Sequence, residues 1–571
     1  MSGISNILQI ASQALLAEQL GVEVTGHNIA NVDTPGFSRQ KVNYITATPV
    51  VSPAGPVGRG VEVLGIERAF DPFITARLNE KNSLLADYRT RSAALEQVAA
   101  FFNETQSGGI NDLLSQFFAS WHDLADNPAG AGERQALLQK ALTLCDAFNS
   151  RANQLVQERQ SLLQQIGPTL EEINEHTAAI AQLTREIIET ESDGHAANDL
   201  RDQRQLELSR LSELIGVQTY TTGDGTVSVA LSNGRPLVQG IMSFDLTYQV
   251  NPADQVEVVW QGPGGTTEIL DTSSLSGGKL TALVQTRDEI IPTYQQELDQ
   301  LAQDFIIAIN NQHTQGVGLT LFSQNKGTYQ VTDPATPLGT SLPLGSEIVA
   351  GSFQIFVDRD GAPLASGTIA IDPSLSLNDV VTNINTHPVL GGLLTASVED
   401  NSLKIVSNLA SDTFGFAGDD SHVLTALGTN TFFTGDKAYT LDVNVWVLEN
   451  PDQVAAGQID ATGAHAVGDN RNALALAELE DAPVGPDGLT FGDAYQRLIM
   501  TLGLEAQDAG NQETFYQGLV EQLTNMRDAV SGVSLDEELT NLIKFQRAYQ
   551  AAARLVSVAD ELYQTLLAMR K

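Results

Sequence analysis

Residues 26–39, GHNIANVDTPGFSR, contain the strongest structural signal in the chain. Proline disfavours helical backbone in the residue before it and glycine supports a tight turn, so Thr34, Pro35 and Gly36 predict a fixed turn at which a helix ends. Upstream, residues 2–30 carry apolar side chains at spacings of three and four, which predicts a helix with a mild apolar stripe. A long helix therefore meets a rigid turn here.

Downstream of the turn, the sequence pattern changes twice before the middle of the chain. Residues 38–66 alternate β-branched residues with proline and glycine, which predicts short strands and loops. From about residue 71 to residue 216 the periodicity is helical, and it includes two long segments, 133–166 and 168–191. This part of the chain is expected to form a bundle of long helices.

The central part of the sequence predicts two separate β elements. Period-two alternation predicts a small β element at about residues 217–275, and helical periodicity then returns from Lys279 to about His313. Residues 316–437 are rich in predicted strands, including a hairpin within 353–371. We expect residues 316–437 to form a separate domain.

The C-terminal part of the chain, from about Phe491, is again helical in pattern. Ser534 and Glu537 form a capping-box signal for the last helix. Its apolar side chains alternate at spacings of three and four, at Leu535, Leu539, Leu542, Phe545, Tyr549, Ala552, Val556, Ala559, Leu562 and Leu566.

These patterns together predict a multidomain, mainly α protein with inserted β-rich domains. The terminal helices are expected to form a coiled-coil-like core domain from residues 1–50 with 531–571. A helical bundle domain is expected from residues 51–315 with 438–530, and the β element at about 217–275 belongs to it. Residues 316–437 complete the division as the outer β-rich domain.

Composition excludes several classes of partner. The 571 residues include 70 Asp plus Glu against 31 Lys plus Arg, a formal charge of -39, whereas nucleic-acid binding needs clustered cations. No apolar run approaches the roughly 20 residues of a membrane-spanning helix. The first basic residue is Arg39, so the sequence lacks the basic region of a cleavable secretory signal and predicts export by another route.

No motif in the sequence predicts catalysis. Cys145 is the single cysteine, so neither an intrachain disulfide nor a thiolate metal cluster can form. The eight histidines are isolated from one another, and the glycine pairs lack the spacing of nucleotide-binding loops. We therefore predict no enzyme activity, no catalytic, metal or cofactor-binding residues, and no cofactor.

Two motifs at opposite ends carry a family resemblance. Residues 26–39 resemble the N-terminal motif of flagellar rod, hook and hook-associated proteins, and residues 542–555, LIKFQRAYQAAARL, resemble the C-terminal helix of the same axial protein family. The family turn motif falls on Asn31, Thr34, Pro35, Gly36 and Phe37.

Interior segments are similar to the hook-associated branch of this family. They are residues 198–204 (NDLRDQR), 277–283, 309–313 and 468–476. Residues 316–437 match that branch poorly.

The resemblance implies a structural subunit of the bacterial flagellum that lies outside the cell and is exported without a cleaved signal peptide. It implies self-association in a ring at the hook–filament junction, with hook protein on one side and a second junction protein or the filament on the other. It also implies an export chaperone on the C-terminal helix, and no nucleic-acid or membrane partner. The residues expected to form the subunit-assembly seam are Ile4, Leu8, Leu15, Val22, Leu539, Leu542, Tyr549, Val556 and Leu566.

Two alternatives remain open on the sequence alone. The chain could be another axial subunit, from the hook, the distal rod or the filament. It could also be a secreted enzyme, such as a glycosidase, in which the acidic β domain is the catalytic part and the helices form a stalk.

Overall fold

The computed structural model describes residues 2–52, 55–102, 108–222, 225–460 and 462–569. They divide into two compact units. The first unit comprises Met1–Ala94, Ser161–Asp288 and Gln507–Lys571, and the second comprises Leu95–Gln160 and Glu289–Ala506.

The α-helices are numbered in chain order. They are α1 (Ser2–Ala30), α2 (Pro72–Phe101), α3 (Ile110–Asp126), α4 (Ala131–Thr190), α5 (Asn198–Leu214), α6 (Gly278–Gln285), α7 (Ile291–His313), α8 (Leu338–Ser341), α9 (Leu377–Thr386), α10 (Val423–Leu427), α11 (Val445–Glu449), α12 (Arg471–Ala477), α13 (Phe491–Ser531) and α14 (Leu535–Ala568).

The strands are short and form several small antiparallel sheets. They are β1 (Gln40–Thr46), β2 (Val50–Ser52), β3 (Gly55–Val57), β4 (Val61–Arg68), β5 (Gln218–Thr221), β6 (Val227–Ala230), β7 (Pro236–Gln239), β8 (Met242–Ser243), β9 (Leu246–Val250), β10 (Val256–Gln261), β11 (Thr267–Ile269), β12 (Gln324–Lys326), β13 (Gly351–Arg359), β14 (Ala362–Ile371), β15 (Leu394–Glu399), β16 (Ser402–Ser407), β17 (Asp412–Ala417), β18 (Phe433–Thr434) and β19 (Asp442–Val443).

In the described residues, the first unit combines the terminal helices with four small sheets, one of which is the hairpin of β2 and β3. Strand β1 pairs with β4, from Gln40 opposite Arg68 to Thr46 opposite Val61. The predicted β element at about 217–275 consists of a four-stranded sheet, β5 to β8, and a three-stranded sheet in the order β11-β10-β9. Helices α5 and α6 pack on each other and bury Leu211 and Leu280.

The second unit has an aromatic core. Phe117 of α3 and Phe305 of α7 lie with their ring centroids 5.6 Å apart, and Phe433 and Phe491 pack within 5.6 Å of one or both. Such edge-to-face contacts stabilise a core beyond the area that they bury. The predicted hairpin is β13 with β14, turned through Asp360 and Gly361, both at positive φ.

The structure corrects the predicted break between the segments 133–166 and 168–191. Helix α4 is continuous through Pro168, although proline removes one backbone donor. Ile166, Leu170 and Ile173 are buried on one stripe that spans the proline, and the Thr169 hydroxyl donates to the Gln165 carbonyl at 2.8 Å. Packing on both sides outweighs the lost hydrogen bond.

The predicted single helix from Lys279 to His313 is also corrected. It consists of α6 and α7 joined by a π-helical turn, Thr286–Ile290. Pro292 at the start of α7 has no N–H to donate, so the regular hydrogen bonds between residues four apart are interrupted here and the turn widens to the π form.

The predicted fold class is confirmed: the protein is multidomain and mainly α, with inserted β-rich parts. The outer segment 316–437 lies within the second unit, and the β element at 217–275 lies within the first. The three-domain division itself remains a prediction.

Candidate assembly site

Helices α1 and α14, from opposite ends of the chain, pack along each other. The side chains at their contact are small: Ala11, Ala17, Ala552 and Ala559 are all buried. Side chains of this size let two helix backbones approach closely.

Gly21 of α1 lies directly against α14. A Cβ atom at this position would lie 2.9 Å from Cδ1 of Phe545, which belongs to the C-terminal motif. The Phe545 ring of α14 therefore packs directly on the α1 backbone.

The nine predicted seam residues surround this contact but do not fill it. Ile4, Leu15, Val22, Leu542 and Val556 are half-buried, whereas Leu8, Leu539, Tyr549 and Leu566 are exposed. The nine residues remain a prediction for contacts between subunits, while alanine and glycine line the contact within the helix pair.

Ten large apolar side chains of α14 remain partly exposed although the helix is packed on α1, and together they are called here the outer face. Its members are 40–54% exposed, and they are Leu535, Leu539, Ile543, Tyr549, Leu555, Val558, Leu562, Tyr563, Leu566 and Leu567. At its far end, a groove of about 690 Å³ is lined by residues of both helices, including Ile4, Leu8, Tyr563 and Leu566. Exposed apolar side chains in this number, together with an apolar groove, are typical of a protein-interaction site.

The turn after α1 is held by hydrogen bonds within the motif. The Asn31 side chain donates to the His27 carbonyl at 3.0 Å and accepts from the Thr34 hydroxyl at 3.1 Å. Gly36 adopts a φ of +80°, and a Cβ there would lie 3.2 Å from Cβ of Leu206. The sequence-predicted turn residues are thus brought together, with glycine where both conformation and space require it.

The residue after the turn is clamped to α5. Asp202 accepts hydrogen bonds from the Ser38 backbone N–H and from its hydroxyl, both at 2.8 Å, and forms an ion pair with Arg68 at 2.8 Å. Burial raises the pKa of Asp202, and the bonds from Arg68 and Ser38 oppose that shift. Asp202 lies in the NDLRDQR segment, so this contact connects the N-terminal motif with an interior one.

Three further polar groups fasten the end of α1 beside this clamp. Asn28 and Gln40 exchange two hydrogen bonds of 2.9 Å, from the Asn28 amide to the Gln40 carbonyl and from the Gln40 N–H back to Asn28 Oδ1. The Gln40 side chain donates to Asp199 at 2.6 Å. Two residues of NDLRDQR therefore hold the segment that follows the turn.

Arg39 connects the same segment to the beginning of α14. Its guanidinium forms ion pairs with Glu538 at 2.7 Å and Glu537 at 2.8 Å. The backbone N–H of Arg39 donates to the Ser531 carbonyl at 2.8 Å. Glu538 is buried, and Asn28 also donates to it at 3.2 Å. Ser534 caps α14 by accepting from the Glu537 N–H, but the predicted capping box is incomplete, because Arg39 holds the Glu537 carboxylate that would bond back to the Ser534 N–H.

Sequence reasoning missed Gly21, Glu538 and the Ser38–Asp202 contact as parts of this site. The signal for Gly21 was its place beside Ala11 and Ala17 on one stripe of small residues. The signal for Asp202 was the NDLRDQR segment, whose resemblance was noted without a structural role. No pattern in the sequence identified Glu538, because one of three adjacent acids at a helix start looks like a solvated charge.

The described residues contain no cluster of three or more His, Cys, Asp or Glu side chains that could hold a metal ion. In the same part of the chain, no helix combines the length and the apolarity that crossing a membrane requires. The site consists of packing, ion pairs and hydrogen bonds.

Comparison with known proteins identifies families along most of the chain. Residues 95–328 match the family "Flagellar hook-associated protein FlgK helical domain". Residues 8–37 match "Flagella basal body rod protein", and residues 528–569 match "Flagellar basal body rod FlgEFG protein C-terminal". The terminal segments are thus shared with rod proteins, whereas the middle is specific to hook-associated proteins.

Full-length relatives agree with this division. Flagellar hook-associated protein 1 of Salmonella typhimurium is 27% identical over 99% of this chain and 100% of its own length. The protein of the same name from Escherichia coli K12 is 26% identical over the same shares. The solved hook junction protein FlgK of Burkholderia pseudomallei, at 21% identity, shares the fold over 80% of this chain and 100% of its own, with a TM-score of 0.55.

These findings confirm the predicted resemblance to flagellar hook-associated proteins. They also confirm that the chain is a structural protein and not an enzyme.

Proposed function

From its full-length similarity to flagellar hook-associated protein 1, we propose that this flagellar chain joins hook to filament as a ring of identical subunits assembled through its paired terminal helices. The observation that carries the proposal is the outer face of α14, which stays open although α1 and α14 are already paired.

The open face favours further association. Complete burial of one leucine contributes about 1.5–3 kcal/mol relative to exposure, and the outer face holds ten large side chains that are each about half exposed. Isolated helices are marginal in water and depend on packing for their stability. Neighbouring copies that cover this face would therefore stabilise the helix pair as the ring forms.

The polar clamp gives the helix pair a defined direction within the first unit. Ser38, Arg39 and Gln40 follow the turn directly and are bonded to α5, α14 and α1, respectively. A ring closes only if each subunit presents its contacts at the same angle. We propose that the turn and clamp set this angle, and that the nine seam residues contact neighbouring subunits.

The partners follow from the same position in the flagellum. We propose hook protein on one side of the ring and a second junction protein or the filament on the other. The export chaperone is assigned to α14, whose outer face offers an apolar surface before assembly. The chain is expected outside the cell, after export without cleavage of a signal peptide.

The matches favour the hook–filament junction over another axial position. Rod families match the terminal segments alone, while the hook-associated helical domain matches residues 95–328. A hook or distal-rod protein would not be expected to match the hook-associated helical domain over residues 95–328.

Complementation of a strain that lacks hook-associated protein 1 tests the proposal. The wild-type chain should restore filaments and swimming, whereas Leu8→Asp and the double variant Leu539→Asp/Leu566→Asp should release filament protein into the medium. Gln546→Asp/Gln550→Asp, at exposed polar positions of α14, is the matched control and should swim normally.

Two measurements make the outcome decisive. The first is the amount of exported protein, because a variant that fails to bind the chaperone is exported less, whereas a variant that fails only to assemble is exported normally. The second is the swimming of Leu8→Asp, because Leu8 lies on α1 and its substitution leaves the proposed chaperone helix unchanged. Normal swimming of both seam variants, at wild-type export, would contradict the proposed seam.

A further inference from the structure

A cleft of about 640 Å³ lies in the first unit beside α5. Three arginines line it, Arg68, Arg201 and Arg204, together with apolar side chains that include Phe70 and Leu208. Three cations around one cleft are unusual in a chain with a formal charge of -39.

Two of these arginines are neutralised by carboxylates of the same unit. Arg68 forms its ion pair with Asp202 at 2.8 Å. Arg201 donates two parallel hydrogen bonds of 2.7 Å to Glu191, the geometry in which a guanidinium binds a carboxylate most strongly.

Arg204 is buried, with 6% of its surface exposed, and its bonds go to neutral groups. Its Nη1 donates to the Thr184 hydroxyl and to the Gly225 carbonyl, both at 3.2 Å. Within the described ranges it forms no ion pair, and its Nε and Nη2 groups have no protein acceptor. A guanidinium carries five N–H donors, so most of the fork remains available toward the cleft.

Arg204 keeps its charge in this position. Burial lowers its pKa to about 10, the neighbouring cations Arg201 and Arg68 add to that shift, and the Glu191 carboxylate opposes it. The group is therefore still protonated at neutral pH. A buried charge without a paired anion is costly, and an entering anion would relieve that cost.

The walls of the cleft indicate which anion fits. Phe70, Leu208 and Val227 give the cleft a partly apolar lining, to which Glu67 adds a carboxylate. An apolar lining suits the methylene stem of an acidic side chain better than a bare ion. Asn79 also lines the cleft, and its buried Oδ1 has no hydrogen-bond partner among the described residues. A peptide N–H could donate to that oxygen.

We infer that this cleft receives an acidic side chain from a neighbouring copy of the chain, with Arg204 binding its carboxylate. In the proposed ring a neighbouring copy lies beside this one, and each copy carries 70 Asp and Glu residues, so a second copy can supply the carboxylate to Arg204. The identity of the partner rests on the proposed ring, whereas the carboxylate site rests on Arg204 alone.

Glutarate, a dicarboxylate with the stem length of glutamate, probes the site in the purified full-length chain. We expect calorimetry to show saturable binding that Arg204→Gln weakens at least tenfold and Arg204→Lys weakens less, because lysine keeps the charge but loses the fork. Arg210→Gln is the matched control, since Arg210 lies on the same helix, is half exposed and pairs with Glu207. Binding of inorganic phosphate without binding of glutarate, or no binding of either, would overturn the inference.

The second arm tests the neighbouring copy as the source. In the complemented strain, Arg204→Gln should shed filaments more than Arg210→Gln, with circular dichroism confirming that both are folded. If Arg204→Gln loses glutarate binding but assembles normally, the partner is not a second copy. If the seam variants assemble normally, the proposed function is contradicted, but the glutarate result still stands.

Discussion

The ring of Phe545 lies so close to the backbone of Gly21 that a Cβ on Gly21 would stand 2.9 Å from its Cδ1 atom. The two residues are more than 500 positions apart and belong to the helices at opposite ends of the chain. Their contact fixes how α1 and α14 lie along each other, because only glycine leaves room for the ring.

Gly21→Ala should therefore loosen the helix pair. The added methyl group must displace the near edge of the Phe545 ring, and overpacking of this kind typically costs about 1–3 kcal/mol. Limited proteolysis followed by intact-mass analysis should show faster loss of both terminal helices, and swimming should decrease.

Gly26→Ala is the matched control on the same helix. A Cβ at Gly26 meets no atom within 4 Å, and alanine is favoured over glycine inside a helix by roughly 1 kcal/mol. The control should be as resistant to proteolysis as the wild type, or more so. Equal sensitivity of the two variants would contradict a specific role for the Gly21–Phe545 contact.

Gly36→Ala should disturb the turn that follows α1. The left-handed backbone at Gly36 costs a residue with a side chain roughly 1–2 kcal/mol, and the new Cβ would press on Leu206. We expect junction assembly, measured by filament retention, to suffer more than the melting temperature of the monomer. Pro35→Ala, at an exposed position, should have a smaller effect on both, and the reverse ordering would count against a geometric role for Gly36.

Arg39→Gln should destabilise the start of α14 strongly. It leaves the buried Glu538 carboxylate without its cation, and breaking a buried pair on one side typically costs about 3–5 kcal/mol. Hydrogen exchange should show earlier opening of residues 535–545. Glu537→Gln removes the exposed partner of the same arginine and should cost less than about 1 kcal/mol.

The double variant Arg39→Met/Glu538→Leu tests whether charge or packing matters there. Replacing both members of a buried pair by apolar residues is often neutral, so much of the lost protection should return. No recovery would mean that Arg39 acts through its ion pair with Glu537 instead.

The long elements of this fold could be predicted from the sequence because their signals are local. The helix of residues 2–30, the cap at Ser534 and the hairpin around Gly361 each depend on periodicity or turn chemistry within a few residues. The two errors, at Pro168 and at the π-turn before Pro292, arose where tertiary packing or a missing N–H changed the local rule.

The candidate site was predictable only in part, for a related reason. The turn residues Asn31 to Phe37 bond mainly to one another, so their motif could be read from the sequence. Asp202 and Glu538 acquire their partners across more than 160 and almost 500 positions. Nothing near them in the sequence distinguishes a clamped carboxylate from a solvated one.

His313 in the second unit links stability to pH. It is fully buried at the end of α7, where Nδ1 lies 2.8 Å from the Asn430 carbonyl and Nε2 accepts from the Ala455 N–H at 3.0 Å. Nε2 can accept only in the neutral ring. Burial lowers the pKa of His313 to about 4, and the cation Arg134 adds to the shift.

Acidification from about pH 6.5 to pH 4 should therefore destabilise the second unit. In this window the unfolded state binds the His313 proton and the folded state does not, so stability falls as pH falls, by on the order of 3 kcal/mol, and levels off below pH 4. Hydrogen exchange of residues 291–313 should accelerate accordingly. His313→Gln, whose amide can both donate and accept, should flatten this dependence, while the exposed His195→Gln should keep it. An unchanged pH dependence in His313→Gln would assign the effect instead to carboxylates whose pKa is lowered by arginine, such as Asp412 and Asp469.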